Sequence, residues 1–258
     1  MILYSVNDAV ARITLNRPEK RNALNDELIA EIKRGLKQAS DDETVRAVVI
    51  SGAGKDFCSG ADLSALQKIA QASMNDNAED ARSLLNLFVQ IRQIRVPVVA
   101  AVKGRALAGG CGLATACDLV LASETARFGY PEVKIGFVPA MVLAILRRNV
   151  SEKRAFELIT RGEEIDAAHA KEIGLVNQVF SDDTFDQDVN AYMRRFMEVS
   201  STAVALTKGL LYQVDGLPFL EALETGADVN VIARMTEDCQ QGIAKFLKPR
   251  IEEMNPRN

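Results

Sequence analysis

Val98-Val99-Ala100-Ala101-Val102-Lys103-Gly104-Arg105-Ala106-Leu107-Ala108-Gly109-Gly110-Cys111-Gly112 opens as an unbroken apolar run and closes as a glycine-rich turn. Such a run suits a strand buried on both faces of a parallel sheet. The glycines that follow mark a turn leading into a helix. The same grammar occurs earlier in the chain. Arg46 to Ser51 (RAVVIS) is a compact apolar strand, Gly52 to Asp62 is a glycine-bearing loop, and Ala61-Asp62-Leu63 begins a helical stretch. Asp118 to Ala122 and Leu175 to Phe180 read as further strands. Strand, long loop and helix in repetition define an α/β fold.

Working outward, Ile2 to Leu15 reads as a hairpin, with alternating apolar residues along Val10–Leu15 and turn chemistry at Asn7-Asp8. A helix is expected from about Asn25, its N-cap, with Leu28, Ile29, Ile32 and Leu36 at helical spacing. The polar stretch Ser73 to Asp80 is expected to be a mobile loop ahead of a helix from Ala81 to Arg95. Beyond Ser181 the pattern is almost wholly helical. The expected organisation is therefore a core over 1–180 and a helical region over 181–258, in one functional unit.

The chain has 258 residues, 48% of them hydrophobic, enough to bury a sizeable core. Lys and Arg total 31 against 35 Asp and Glu, a net charge of -4 that argues against a nucleic-acid partner. No apolar run reaches the roughly 18 residues of a membrane span. The first residues show no basic-then-apolar leader pattern. Cys58, Cys111, Cys117 and Cys239 lack the paired spacing of a zinc site, so no metal is expected. A reduced, cytoplasmic setting is the expectation.

Two glycine-bearing loops run straight into helices: Cys58-Ser59-Gly60-Ala61-Asp62 and Ala108-Gly109-Gly110-Cys111-Gly112. A helix start presents unpaired N–H groups and the positive end of the macrodipole. Two such donors aimed at one point hold charge developing on a carbonyl oxygen. On spacing alone, glycine turns that serve only packing fit as well.

Further stretches narrow the choice. Asn16-Arg17-Pro18…Asn22-Ala23-Leu24, Asp56 to Leu63, Val96 to Gly104, Ala108 to Asp118, Ala126 to Glu132 and Gly136 to Pro139 follow one another in order. Together they resemble the crotonase (enoyl-CoA hydratase/isomerase) superfamily across almost the whole chain. The resemblance implies a spiral of repeated ββα units with a helical C-terminal trimerisation region, assembled as a homotrimer or as a homohexamer of two trimers. It implies an acyl-CoA substrate, with coenzyme A as part of that substrate and no separate cofactor. The family's oxyanion hole maps onto the backbone N–H groups of Ala61 and Gly109, and its second catalytic glutamate onto Glu132. Substrate contacts map onto Lys20, Arg21 and Ala23, onto Phe57, Ser59, Gly60, Asp62 and Leu63, and onto Gly110 and Gly112. Lys245, Phe246 and Lys248 fall where the family's last helix approaches the nucleotide, often from a neighbouring subunit; a solvated helix end is the competing reading.

Two departures from the family pattern stand out. The first family glutamate maps to Gly112, which cannot carry a proton, so another acid or base, an ordered water or a small anion is expected nearby. Asp56, Asp62, Glu79 and Asp80 are the candidates in sequence, with Asp62 also a natural helix N-cap. After Pro139 the chain reads Ala140-Met141-Val142-Leu143 where many relatives have glycine, which reshapes the acyl pocket and offers Met141 as adaptable apolar lining, or as plain core. A carboxylate at Glu132 among apolar neighbours should have a raised pKa suited to proton transfer. The expected activity is hydration of a 2-enoyl-CoA through an enolate. A double-bond isomerase using Glu132 alone, and a non-catalytic acyl-CoA-binding subunit, are the other readings. His169, in an ordinary helical stretch, and Cys111, a small buried thiol, are not expected to act.

Overall fold

The computed structural model describes residues 1–254; the side chains of Leu63, Leu66, Ala70 and residues 249–254 lie outside the description. Nine strands are described: β1 (Ile2–Asn7), β2 (Val10–Leu15), β3 (Ala47–Gly52), β4 (Val98–Val102), β5 (Arg105–Leu107), β6 (Leu119–Ser123), β7 (Arg127–Gly129), β8 (Glu164–Asp166) and β9 (Gln178–Phe180). The helices are α1 (Asp26–Asp41), α2 (Leu63–Gln71), α3 (Met74–Gln93), α4 (Gly109–Ala116), α5 (Ala140–Asn149), α6 (Glu152–Arg161), α7 (Ala167–Glu172), α8 (Phe185–Arg194), α9 (Ser201–Gln213), α10 (Phe219–Met235) and α11 (Glu237–Met254).

The larger sheet has the order β1-β2-β3-β4-β6-β9, parallel except for the β1–β2 hairpin. A second sheet runs β5-β7-β8. Two successive turns, β4–β5–α4 and β6–β7–α5, lay one strand on each sheet before a helix returns. Every residue of β4 is buried, as its unbroken apolar run requires. Helix α1 packs Leu28, Ile29, Ile32 and Leu36 inward, and Asn25 Oδ1 accepts the Leu28 amide at 2.9 Å as N-cap. The hairpin turn falls on Asp8 and Ala9, both at positive φ, one residue later than the sequence suggests.

Two expectations are corrected. Ser73–Asp80 is not a loop: Ser73 and Asp76 form a reciprocal capping box and the segment is the first part of α3. Its polar character reflects exposure at a helix start. The strand expected over Leu175–Phe180 is confined to β9, because Leu175 and Val176 are held by the Ala170 carbonyl at the end of α7.

From Phe185 to Met254 the described chain is helical with short connections. Lys208 on α9 fastens this region to the core. Its Nζ meets Asp118 Oδ2 at 2.7 Å and donates to the Ile91 and Val96 carbonyls at 2.8 and 2.9 Å. Asp118 also accepts the Val98 amide at 2.6 Å and the Tyr212 hydroxyl at 2.7 Å. Among the described residues no helix is long and apolar enough to cross a membrane.

Candidate active site

The chain from Arg17 to Leu24 is stitched to the loop before α2. Asn22, fully buried, donates from Nδ2 to the Ala53 and Asp56 carbonyls at 2.9 and 2.8 Å. Arg17 pairs with Asp62 at 2.7 Å, while Asp62 also caps α2 through the Ser64 amide. These contacts hold the Asp62 carboxyl down at about 2. The Ser59 amide donates to the Arg21 carbonyl, and Leu24 and Ala61 form a parallel bridge through the bonds Leu24 N–H to Gly60 O and Asp62 N–H to Leu24 O. In a parallel bridge of this register the Ala61 amide is left out. It has no acceptor among the described residues.

The second glycine loop lies against the first. The Leu107 amide donates to the Cys58 carbonyl at 2.9 Å. Gly110 passes so close that a Cβ there would stand 2.3 Å from the Cys58 carbonyl oxygen. Gly60, at φ +98°, leaves a Cβ position 2.7 Å from the Ala108 Cβ, so only glycine fits between the loops. Ala108 itself is strained, at φ 49° and ψ -128°. That conformation turns the chain into α4, whose first amide, on Gly109, also lacks an acceptor among the described residues.

Ser59, Ala61, Ala108 and Gly109 line one apolar cavity of about 490 Å³ together with Glu132. Its walls come from Leu24 and Ile29, from Ala65, Ile69, Ala81 and Leu84 across α2 and α3, and from Pro139, Met141 and Val142 at the start of α5. Ile135, Phe137 and Val138 form an exposed apolar rim. Glu132 stands on a 3-10 turn, Pro131–Ile135, behind fully buried Tyr130. The Tyr130 hydroxyl bonds Thr115 Oγ1 at 2.7 Å, tying this corner to α4. Glu132 Oε2 is buried and has no hydrogen-bond partner among the described residues. Desolvation raises its pKa.

The structure brings Ala61, Gly109, Glu132, Ser59 and Met141 to this cavity; several other expected residues do not line it. Phe57 is wholly core, and Gly60, Gly110 and Asp62 serve the loop contacts just described. Ala23 is buried, and Lys20 and Arg21 are exposed on the stitched segment beside the cavity. The Leu63 side chain lies outside the described residues. Lys245, Phe246 and Lys248 are exposed on α11, with Lys245 beside Arg46 and Asp238, away from the cavity lining of this chain.

Gly112 is tightly packed. A Cβ there would meet Val142 Cγ2 at 2.5 Å and touch the Phe88 ring at 3.4 Å, so a side chain at this position collides with Val142. The start of α5 packs Val142 directly against Gly112. A Gly112→Glu variant is therefore expected to lose about 3 kcal/mol of stability through overpacking, seen as a lower urea midpoint. Val142→Ala in the same chain should recover part of that loss, and a double variant no more stable than Gly112→Glu alone would refute the packing account.

Of the four carboxylates considered in its stead, only Asp80 lines the cavity. Asp56 accepts the Arg105 amide on another face, Asp62 is ion-paired, and Glu79 is exposed. Among the described residues no group of three or more His, Cys, Asp or Glu is arranged to hold a metal. His169 pairs with Glu172 at 3.4 Å outside the cavity, and burial pushes the Cys111 thiol up to about 12. What sequence reading missed is the hydrophobic enclosure. Ile29 reads as ordinary core on α1, and Leu84 and Ile69 meet it only in the folded chain.

A two-sheet spiral with paired glycine loops over an apolar cavity is the architecture of the crotonase class. Residues 5–254 match the model of the enoyl-CoA hydratase/isomerase family. A Thermus thermophilus protein bearing an enoyl-CoA hydratase name is 40% identical over 241 residues, 93% of this chain and 95% of that one. The 2,3-dehydroadipyl-CoA hydratase of Escherichia coli is 33% identical over 258 residues, covering 99% of each. The crystal structure of an enoyl-CoA hydratase of Mycobacterium smegmatis superposes with a TM-score of 0.92 at 31% identity, over 96% of both chains. The chain belongs to the enoyl-CoA hydratase/isomerase family.

Proposed function

We propose that this protein is an enoyl-CoA hydratase-type lyase acting on a 2-enoyl-CoA thioester. The observation that carries the reading is Glu132: a carboxylate oxygen without a partner, buried in an apolar cavity that also receives two acceptor-free amides. The thioester oxygen accepts from Ala61 N–H and Gly109 N–H, which draws electron density from the double bond. Glu132 removes a proton from a water molecule as its oxygen bonds to C3, and the electron pair moves into an enolate at the thioester. The same carboxyl then returns that proton to C2, so one water is added and Glu132 ends as it began. One carboxyl suffices for both transfers, which matters because Gly112 carries no side chain and a Cβ there would collide with Val142.

The coenzyme A moiety runs along the Lys20–Leu24 segment, which the Asn22 and Arg17 contacts hold beside the cavity. No further cofactor takes part. Residues 1–180 form the catalytic core and 181–258 an assembly region, where the exposed apolar residues Phe219, Leu220, Ile232 and Met235 of α10 suit burial between subunits of a trimer or a hexamer. The setting is cytoplasmic.

A short 2-enoyl-CoA mixed with the full-length protein should lose its conjugated-thioester absorbance. A 3-enoyl-CoA that gains this absorbance, with no loss from the 2-enoyl isomer, would make the protein an isomerase. No change with either would leave a non-catalytic acyl-CoA binder.

A further inference from the structure

The cavity has a second polar end that the proposed chemistry does not use. Phe88 of α3 reaches Gly112, and Asp80 lies eight residues before it on the same helix, roughly 12 Å along the axis. There Asp80 faces the cavity together with Asp26, the first residue of α1. The Asp80 carboxyl lies near that of Asp26, and Asp26 Oδ2 takes Lys68 Nζ at 2.7 Å at the exposed edge of the cavity. The surrounding walls, Ile29, Ala65, Ile69 and Leu84, offer no charge. Among the described residues Lys134 is the one cation lining the cavity, and its stem is directed at the turn after α6: a Cβ on Gly162 would stand 3.4 Å from Lys134 Cε.

We propose that the Asp26–Asp80 pair sets acyl-chain choice, so that the cavity accepts a neutral, apolar acyl chain and rejects one ending in a carboxylate. The inference rests on the acyl-CoA reading of the site. A terminal carboxylate would shed its hydration against apolar walls and face two acidic groups, with Lys68 already paired to Asp26 and the Lys134 stem directed elsewhere. Burial and the neighbouring Asp26 raise the Asp80 pKa, and Lys68 works against that rise. The Escherichia coli relative, named for a substrate that is a dicarboxylic acyl thioester, would differ from this chain at that end.

The test titrates two saturated six-carbon thioesters, hexanoyl-CoA and adipyl-CoA, into the full-length protein by calorimetry; neither can be hydrated, so binding is read apart from turnover. Hexanoyl-CoA should bind at least about tenfold more tightly, and Asp26→Asn with Asp80→Asn should bring the two within about threefold. Asp80→Asn alone, which leaves the Asp26–Lys68 pair intact, should narrow the gap part of the way and guards against a double variant that fails to fold. Equal binding of both thioesters by the wild-type protein overturns the inference and leaves the hydratase reading standing. Failure of both to bind overturns the two together. Preferential binding of adipyl-CoA that disappears in Lys68→Ala would assign tail reading to the lysine and refute exclusion by the aspartates.

Discussion

Replacing Glu132 by Gln is expected to lower kcat/KM for a 2-enoyl-CoA by about 10³-fold while leaving the protein folded, because removing one positioned acid/base group typically forfeits 10²–10⁴. The amide keeps the shape of the side chain and cannot exchange the proton. Binding of a saturated acyl-CoA should be little changed, since the walls and the Ala61 and Gly109 amides are untouched. The pH dependence follows from the same burial. Glu132 has a raised pKa in the fold, and its ionised form is the base, so the rate should decline on acidification at a higher pH than an ordinary glutamate would give. Stability runs the other way. A carboxyl whose pKa is raised on folding favours the fold while protonated, and that contribution fades as pH rises through the folded value. At neutral pH the glutamine variant should then melt no lower than the wild type. A melting temperature well below it, or unchanged turnover, would count against the assignment of Glu132.

The second large effect concerns Lys208. Its side chain and that of Asp118 are only 7% and 13% exposed. Lys208→Ala removes the cation and strands the Asp118 carboxylate beside the buried thiol of Cys117 and the Tyr212 hydroxyl. Removing one partner of a buried pair costs about 3–5 kcal/mol, enough to consume much of a typical domain's stability. Guanidinium unfolding should show that loss. The double variant Lys208→Met with Asp118→Asn should be less damaged than Lys208→Ala, because no charge is left without its partner. Additive losses would show that the pair is not coupled. Since Lys208 bonds the Ile91 carbonyl in the last turn of α3 and the Val96 carbonyl just before β4, the same variant should loosen α9 first, visible as faster amide exchange across Ser201–Gln213.

The features legible in the sequence are those set by local chemistry. Asn25 announces its cap, the β4 run announces a buried strand, and the glycines of both loops mark places where backbones pass within contact of each other. Ala61, Gly109 and Glu132 were found through ordered motifs, and the fold carries them to one cavity. What stayed hidden depends on residues far apart in the chain. That Val142 fills the space at Gly112 follows from how α5 packs on α4, thirty positions later. Asp80 could not be told from Glu79 until α3 showed which of its sides faces α1 and α2. The Ser73 capping box was present in the letters, but its polar neighbours hide a helix whose apolar side begins only near Leu84.

The strand order of the larger sheet repeats the order of the chain, from the first hairpin to β9. Each strand therefore meets an edge that earlier residues have already built, and none must wait for a later segment to separate it from its neighbour. A polypeptide leaving the ribosome can lay down this sheet turn by turn, and the lysine on α9 that closes over Asp118 emerges only after the last strand.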